Sequence, residues 1–476
     1  MNDDLTALDA TFLELEELDE GALMSIGGVM VFDPRPGGGV PDINSVRANL
    51  ATRFAQLPRY EQRLSSPHTG GLSWPHWVDD ERFDIGYHVR HGALPAPGGR
   101  AELADWTGDF FSHPLDRTRP LWEIVLLEGL EGGRWALVHK THHCLVDGVG
   151  SVDVLGLLLD RQPSPDVRGP LVPSEPDYPP LWRTLLPNPP DPIGQLARTG
   201  VHAASAGLHA AVHPRETLAR SRDLAALVVR EAVPGAPRTS LNVPIGPTRR
   251  FATVSVPLAE CKAIRDGLGG SVNDVVLAAC TTALRSLLQG RGEELPARGL
   301  RAMVPLNLRQ APEHMALGNR VSSLFVDLPV AEPAAAVRYR RIVDSTSRLK
   351  ASGAAAAATA AIDLVGYAPP LLHAAIARNL YATRLFNVTI TNVPGPRGPL
   401  YAYGAALREV HPVVPLAAEH AVGIAVFSYD GLVTFGINAD CESTPEISEL
   451  ADQIRAGIDE LRTLVPAPQA TPSSTK

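Results

Sequence analysis

His142 and His143 stand side by side, and Asp147 and Gly148 follow after a three-residue gap, so 142–148 reads His-His-Cys-Leu-Val-Asp-Gly. Histidine is the side chain whose ordinary pKa lies nearest neutrality. An imidazole held in one place can take the proton of a hydroxyl that must attack something. Singly, the parts say little: most histidines are surface or satisfied core residues, and Asp-Gly marks a turn. The whole pattern, set between a strand and a helix, is far more specific. Cys144 lies inside it, but a cysteine nucleophile needs a base placed against it. The neighbouring imidazole is expected to point away, so Cys144 reads as a small packing residue.

Metal binding is the competing chemistry. Adjacent residues of a strand face opposite ways, and His139 and His143, four apart on a strand, would be about 13 Å from each other. His209 and His213 have the same spacing in a helical stretch, but no Glu follows His209 and no third ligand lies nearby. Cys144, Cys261, Cys280 and Cys441 show no pair spacing. No metal site is therefore expected. The Gly-x-Ser-x-Gly elbow of serine hydrolases and the glycine patterns of nucleotide-binding loops are both missing.

The motif needs elements to hold it. Arg134–Thr141 (RWALVHKT) predicts a strand and Val149–Leu159 has helical apolar spacing. The histidines thus sit on a strand-to-helix turn, which Gly148 lets bend tightly. Upstream, Ile43–Leu57 places Ile43, Val46, Leu50 and Phe54 on one helical face. Leu121–Leu127 reads as a buried strand, joined to the motif strand through Glu128–Gly133 as a hairpin. Pro163–Pro192 holds eleven prolines, a density that leaves a linker or an extended crossover.

Leu196–Glu231 returns to helical composition, with Leu224, Leu227 and Val228 on one face; packing on the body is favoured over contact with lipid. Phe251–Pro257 predicts a strand. Ser271–Gln289 predicts a helix, with Ser271 at the N-cap and Asp274 at the third position. Strands are expected at Arg301–Pro305, Val321–Leu328 and Val388–Asn392. Ala421–Ser428 and Leu432–Asn438 flank the turn residues Tyr-Asp-Gly. A helix closes the chain at Ile447–Val465, and Ala351–Ala361 reads as a further soluble helix. The reading is a mixed α/β fold: an N-terminal half over 1–161, a linker over 162–195, a C-terminal half over 196–465 and a disordered tail over 466–476.

The 476 residues suffice for two domains, and 45% hydrophobic with 20% charged residues is ordinary for a soluble globular chain. A net charge of −9 gives no general attraction to nucleic acid or anionic membrane. Membrane contact, if made, must be local and apolar. Four unpaired cysteines fit a reducing compartment. The acidic start MNDDLTALDATFLELEE is no signal peptide, and no apolar run reaches membrane-spanning length. A cytoplasmic protein is expected.

Together these segments resemble a family. The HHxxxDG pattern with a second α/β half is similar to the CoA-dependent acyltransferases, which include chloramphenicol acetyltransferase and the condensation domains of peptide synthetases. Further segments resemble one branch, the bacterial wax ester synthase/diacylglycerol acyltransferases: Leu8-Asp9-Ala10 with Phe12, then Met24–Gly28 (MSIGG); Trp77-Val78-Asp79, Phe83-Asp84 and Tyr87–Arg90; Pro120-Leu121-Trp122 (PLW); Ser271–Val275 with Asn273-Asp274 (ND); Met303-Val304-Pro305 with Arg309; Gly318-Asn319-Arg320; and Thr391–Pro396 with NVPGP. The motifs keep the family order from about residue 5 to about residue 460.

The resemblance implies two chloramphenicol-acetyltransferase-like halves and O-acyl transfer from a long-chain acyl-CoA to diacylglycerol, to a long-chain fatty alcohol, or to both. Acyl-CoA would be a co-substrate, with no bound cofactor. The enzyme would meet the inner face of the membrane, or lipid droplets, peripherally. A thioester is already activated, so one base and an oxyanion donor suffice for direct attack in a ternary complex. The resemblance makes His143 the base and His142 its support. It gives Asp147 an arginine partner and a structural role on the loop, with Gly148 at the bend. Asn273, at a helix N-terminus in the second half, is the oxyanion candidate, Asp274 a cap. Pro120, Leu121 and Trp122 are read as architectural and Asn392–Pro396 as a rigid turn between halves. Arg249, Arg250 and Lys262 are possible contacts for CoA phosphates. Two alternatives stand beside this: a condensation-type acyltransferase fed by a carrier protein, and a non-catalytic lipid-binding protein on the same fold.

Overall fold

The computed structural model describes residues 5, 7–55, 57–65, 75–145, 158–163, 235–307, 321–351 and 385–466. Asp147, Gly148, the Val149–Leu159 helix apart from its last residues, Leu196–Glu231, His209, His213, Arg309, Gly318–Arg320 and nearly all of 162–195 lie outside them.

The two α/β halves expected from the sequence are built on two six-stranded mixed sheets. The first half contributes α1 (Ala7–Leu18), β1 (Ser25–Phe32), α2 (Ile43–Phe54), β2 (Gln62–Leu64), β3 (Trp77–Asp79), α3 (Ile85–His88), β4 (Val89–Ala93), α4 (Arg100–Phe111), β5 (Trp122–Leu130) and β6 (Arg134–His142). The second contributes β7 (Arg249–Pro257), α5 (Leu258–Leu268), α6 (Val272–Gly290), β8 (Leu300–Asn307), β9 (Val321–Leu328), α7 (Ala335–Ala351), β10 (Val388–Pro394), β11 (Tyr401–Ala402), β12 (Ala405–Val413), β13 (Val422–Tyr429), β14 (Leu432–Asp440) and α8 (Ile447–Thr463).

The first sheet runs β11-β12-β1-β6-β5-β4 and the second β7-β14-β13-β10-β8-β9. The division by sequence is therefore not the division by sheet. β12, from the C-terminal segment, pairs antiparallel with β1 from Gly27–Val413 to Phe32–Leu407. β11 and β12, which follow the linker in sequence, complete a sheet whose other four strands precede it. Nothing in the linker announces the exchange.

β1 and β6 are interior strands buried on both faces, with alternate residues feeding two cores. Met30, Phe32, Trp135 and Leu137 join one cluster, which also takes Leu121, Trp122, Cys144 and Leu145. Val29, Val31, Ala136 and Val138 join the other, with Phe110, Phe111 of α4 and Phe251 of β7. Gly27 must be glycine: a Cβ there would run into the His139 carbonyl and sit 2.9 Å from the Phe111 ring.

The hairpins form where expected. β5 returns through Glu131–Gly133 into β6, and Asp430 and Gly431 turn β13 into β14 with φ of 40° and 84°, the pair of positive values that matches strand twist. α6 is the helix that Ser271 begins. Ser271 accepts from the Asp274 N–H at 3.3 Å while Asp274 accepts from the Ser271 N–H at 2.7 Å, a reciprocal cap. One expectation is corrected: Asn392–Pro394 are not a turn but the end of β10, paired in parallel with Val426, Phe427 and Ser428. Among the described residues no helix is long and apolar enough to cross a membrane.

Candidate active site

Three sequence blocks meet at one end of the first sheet. His142 closes β6, opposite Ser25 of β1, while its neighbour Thr141 faces Trp122 of β5. The His142 N–H donates to Leu121 O at 3.0 Å and the His143 N–H to Met24 O at 2.8 Å. The backbone of both histidines is thereby laced to the MSIGG and PLW segments. Leu121 and Trp122 are buried. Trp122 donates from Nε1 to Tyr60 O at 2.7 Å and stacks on His88 at 4.6 Å between ring centroids. Its side chain is thus occupied with packing.

The two imidazoles have different surroundings. His142 is buried, 1% exposed. Its Nε2 lies 2.6 Å from Glu16 Oε2, and its Nδ1 accepts the Cys144 backbone N–H at 3.1 Å. An accepting Nδ1 carries no proton, so the proton sits on Nε2 and points at the carboxylate. Burial raises the Glu16 pKa, but the His142 hydrogen bond and the electrostatic pull of His142 and of the Arg117 guanidinium outweigh it and leave the carboxyl below its ordinary value. Arg117 Nη2 is 3.7 Å from the same Glu16 oxygen. His143 is only half-buried and stacks on Phe12 with ring centroids 4.0 Å apart and planes 18° apart.

Cys144 is buried. Burial first, then the charge of Asp9, pushes its thiol well above the usual range, so it supplies no thiolate nucleophile. His139, back along β6, is 7% exposed, and burial pushes its pKa down to about 4.

Asn273 lies in the second half, one residue into α6 and half-buried. Its Oδ1 accepts a hydrogen bond from the Asn392 amide at 3.1 Å. The ND and NVPGP segments, over a hundred residues apart, are joined by this contact. Asp274 is used up locally: beyond the cap, its Oδ1 accepts from Thr346 Oγ1 at 2.7 Å. Val393, next to Asn392, packs against the first-half cluster that contains Cys144 and Leu145. The end of β10 thus meets α6 with one residue and packs against the cluster of the first sheet with the next.

Three expectations for CoA contacts separate. Arg249 is 4% exposed, and its guanidinium donates to the Gly21 and Gly246 carbonyls. It ties the turn after α1 to β7 and has no face for a phosphate, which corrects that assignment. Arg250 reaches Cys441 Sγ at 3.3 Å, and Lys262 is exposed. Among the described residues no group of three or more His, Cys, Asp and Glu side chains could hold a metal ion.

Sequence reasoning missed Glu16 as the partner of His142, and saw Phe12 only as part of a resemblance. Both lie on α1, and no spacing rule links residue 16 to residue 142.

The chain is similar to known proteins over nearly its whole length. Residues 5–276 match the model of the wax ester synthase/diacylglycerol acyltransferase catalytic domain, and residues 317–462 that of the WS/DGAT C-terminal domain. Two Mycobacterium tuberculosis proteins named as diacylglycerol O-acyltransferases are 32% identical over 471 residues, covering 96% of this chain and 95% of the relative, and 34% identical over 467 residues, covering 97% and 100%. Among solved structures, the wax ester synthase/diacylglycerol acyltransferase from Marinobacter aquaeolei VT8 matches with a TM-score of 0.69 at 29% identity, covering 97% of this chain and 99% of its own. The first condensation domain of the CDA synthetase matches at 0.58 and 15% identity, over 100% and 99% of the two chains. That likeness speaks for the fold alone.

Proposed function

The chain belongs to the wax ester synthase/diacylglycerol acyltransferase family, and from that premise we infer that it moves a long-chain fatty acyl group from acyl-CoA to the hydroxyl of diacylglycerol, of a long-chain fatty alcohol, or of both. The products are triacylglycerol and wax esters. His143 is the general base. The observation that carries this assignment is the engagement of both His142 nitrogens, Nε2 with Glu16 and Nδ1 with the Cys144 N–H. A ring so engaged has no nitrogen to offer a substrate. His143 keeps part of its surface exposed.

His143 takes the proton as the alcohol oxygen bonds to the thioester carbonyl carbon. The carbonyl oxygen becomes an oxyanion in the tetrahedral intermediate. The C–S bond then breaks, the ester leaves, and the proton passes from His143 to the departing CoA thiolate. Asn273 serves the oxyanion. Because its Oδ1 is taken by Asn392, its amide nitrogen is the end left to donate, and a donor aimed at developing charge is the most effective use of an amide. Leu121 supports the end of β6 by accepting the His142 N–H. The acceptors are water-insoluble, so the enzyme works in peripheral contact with a membrane or lipid-droplet surface.

The test is a purified-protein assay with labelled palmitoyl-CoA, offering hexadecanol and diacylglycerol together. Ester formation from free acyl-CoA, reduced about a hundredfold to ten-thousandfold in His143→Ala, is the expected result. A folded His143→Ala protein with near-normal turnover removes the base assignment. Product made only from a carrier-bound acyl group returns the condensation-type reading.

A further inference from the structure

One element takes no part in the chemistry above yet grips both histidines. Phe12 and Glu16 lie one turn apart on α1, so they share a face. Phe12 covers the His143 ring at 4.0 Å, nearly parallel to it. Glu16 binds His142 Nε2 at 2.6 Å. Glu16 is 9% exposed in its side chain, so its charge is kept from bulk water and set on one donor. Arg117, from the loop after α4, braces this end of the helix. It reaches Leu13 O at 3.1 Å, Glu17 Oε1 at 2.6 Å and Glu16 Oε2 at 3.7 Å. α1 also touches the second half: Leu15, Ala22 and Met24 form a small cluster that Phe12 and Ala418 pack against.

We propose that Phe12 and Glu16 are positioning residues for the acyl transfer, a role that rests on His143 being the base. Glu16 holds His142 by Nε2. His142 holds the Cys144 N–H by Nδ1. The first turn after β6 is then pinned from both sides of the residue that must act, and Phe12 fixes the plane of its ring. Both act through the two histidines. Their effect is on the angle and distance at which His143 meets the alcohol, and a displacement of about 1 Å there costs on the order of a hundredfold in rate.

The experiment compares Glu16→Ala, Glu16→Gln and Phe12→Leu with His143→Ala in the full chain, measuring kcat, KM for palmitoyl-CoA and thermal midpoint for each. Gln keeps an oxygen that accepts from Nε2–H; Ala does not. Glu16→Ala is expected to lose roughly ten- to a hundredfold in kcat with KM unchanged, and Glu16→Gln to stay within a few-fold of the parent. Phe12→Leu keeps the apolar bulk but not the flat ring, and is expected to lose about tenfold in kcat at an unchanged midpoint. A folded Glu16→Ala protein with parental kcat overturns the proposal, as does an equal loss in Glu16→Ala and Glu16→Gln. Should Glu16→Ala not fold, Phe12→Leu with parental kcat overturns it instead. If His143→Ala itself retains turnover, the base assignment fails first and the positioning role falls with it; full loss in His143→Ala beside normal Glu16 and Phe12 variants strikes the positioning role alone.

Discussion

Two neighbouring residues of one type can be given different work by a few ångströms of environment. His142 is spent inside the protein, and His143 is stacked and part-exposed. The same logic applies to the asparagine pair. On the proposed oxyanion role, Asn273→Ala is expected to lower kcat by roughly a hundredfold to a thousandfold. Asn392 sets which end of that amide faces out. Asn392→Ala should therefore cost less than Asn273→Ala, while Asn392→Asp should cost more than Asn392→Ala. A carboxylate opposite Asn273 Oδ1 repels it and turns the amide round, offering a carbonyl oxygen to the oxyanion. Steady-state kinetics on the three proteins check the order; equal activity in all three shows that Asn392 does not set the Asn273 amide. His143 and Asn273 were singled out from the sequence because each belongs to a short motif. Glu16 was not, since the fold alone brings it across 126 positions to His142.

The elements were legible where a period repeats without interruption. α6 shows its apolar face, its N-cap and its third-position carboxylate, and β6, β13 and β14 each carry a run of apolar residues bounded by turn residues or charges. β1 and β12 were not read as strands. β1 carries two glycines, which depress strand propensity, yet Gly27 is there because β6 and Phe111 come too close for any Cβ. β12 mixes Arg408, Glu409, His411 and Pro412 into its run. Packing overrides propensity in both. The link between α4 and β6 was equally hidden. Lys140 is 1% exposed, and its Nζ donates to the Phe110 and His113 carbonyls at 2.9 and 3.1 Å, at the end of α4. Burial pushes its pKa down to about 8, with Glu123 working against that shift. Lys140→Met keeps the apolar stem and strips those carbonyls of their donor. A loss of about 1–3 kcal/mol in stability is expected, read by urea denaturation, with turnover near parental once folded. An unchanged midpoint would show that the carbonyls find water instead.

Across the whole molecule, buried histidines set a floor on the working pH. His139 and His411 are both buried, and burial pushes each down to about 4 from 6.5; for His411, Glu409 partly opposes and Arg100 and Arg134 add. With the folded pKa depressed, the unfolded chain binds more protons between the two values. The stabilisation is complete above pH 6.5 and is lost as pH falls toward 4, at up to about 1.4 kcal/mol per pH unit for each group. Urea midpoints at pH 7.5, 6 and 5 should fall in that order, and His139→Gln should flatten the trend; a pH-independent midpoint would contradict it. The exchange of β12 makes a second prediction at this scale. Residues 1–163 expressed alone would leave β1 as an open edge, the state that invites aggregation. Co-expressed with 235–466 they should copurify, whereas a soluble monomeric 1–163 would show that β12 is dispensable to the first sheet. The same strand has a meaning in time. β6 ends at His142 and β12 at Val413, about 270 residues later. At about 5–20 residues per second on the ribosome, the first sheet waits roughly 14–54 s for β12, the strand that pairs with β1. Through that interval the histidine end of β6 has been made beside an unpaired β1 edge, a window in which another chain could pair there first.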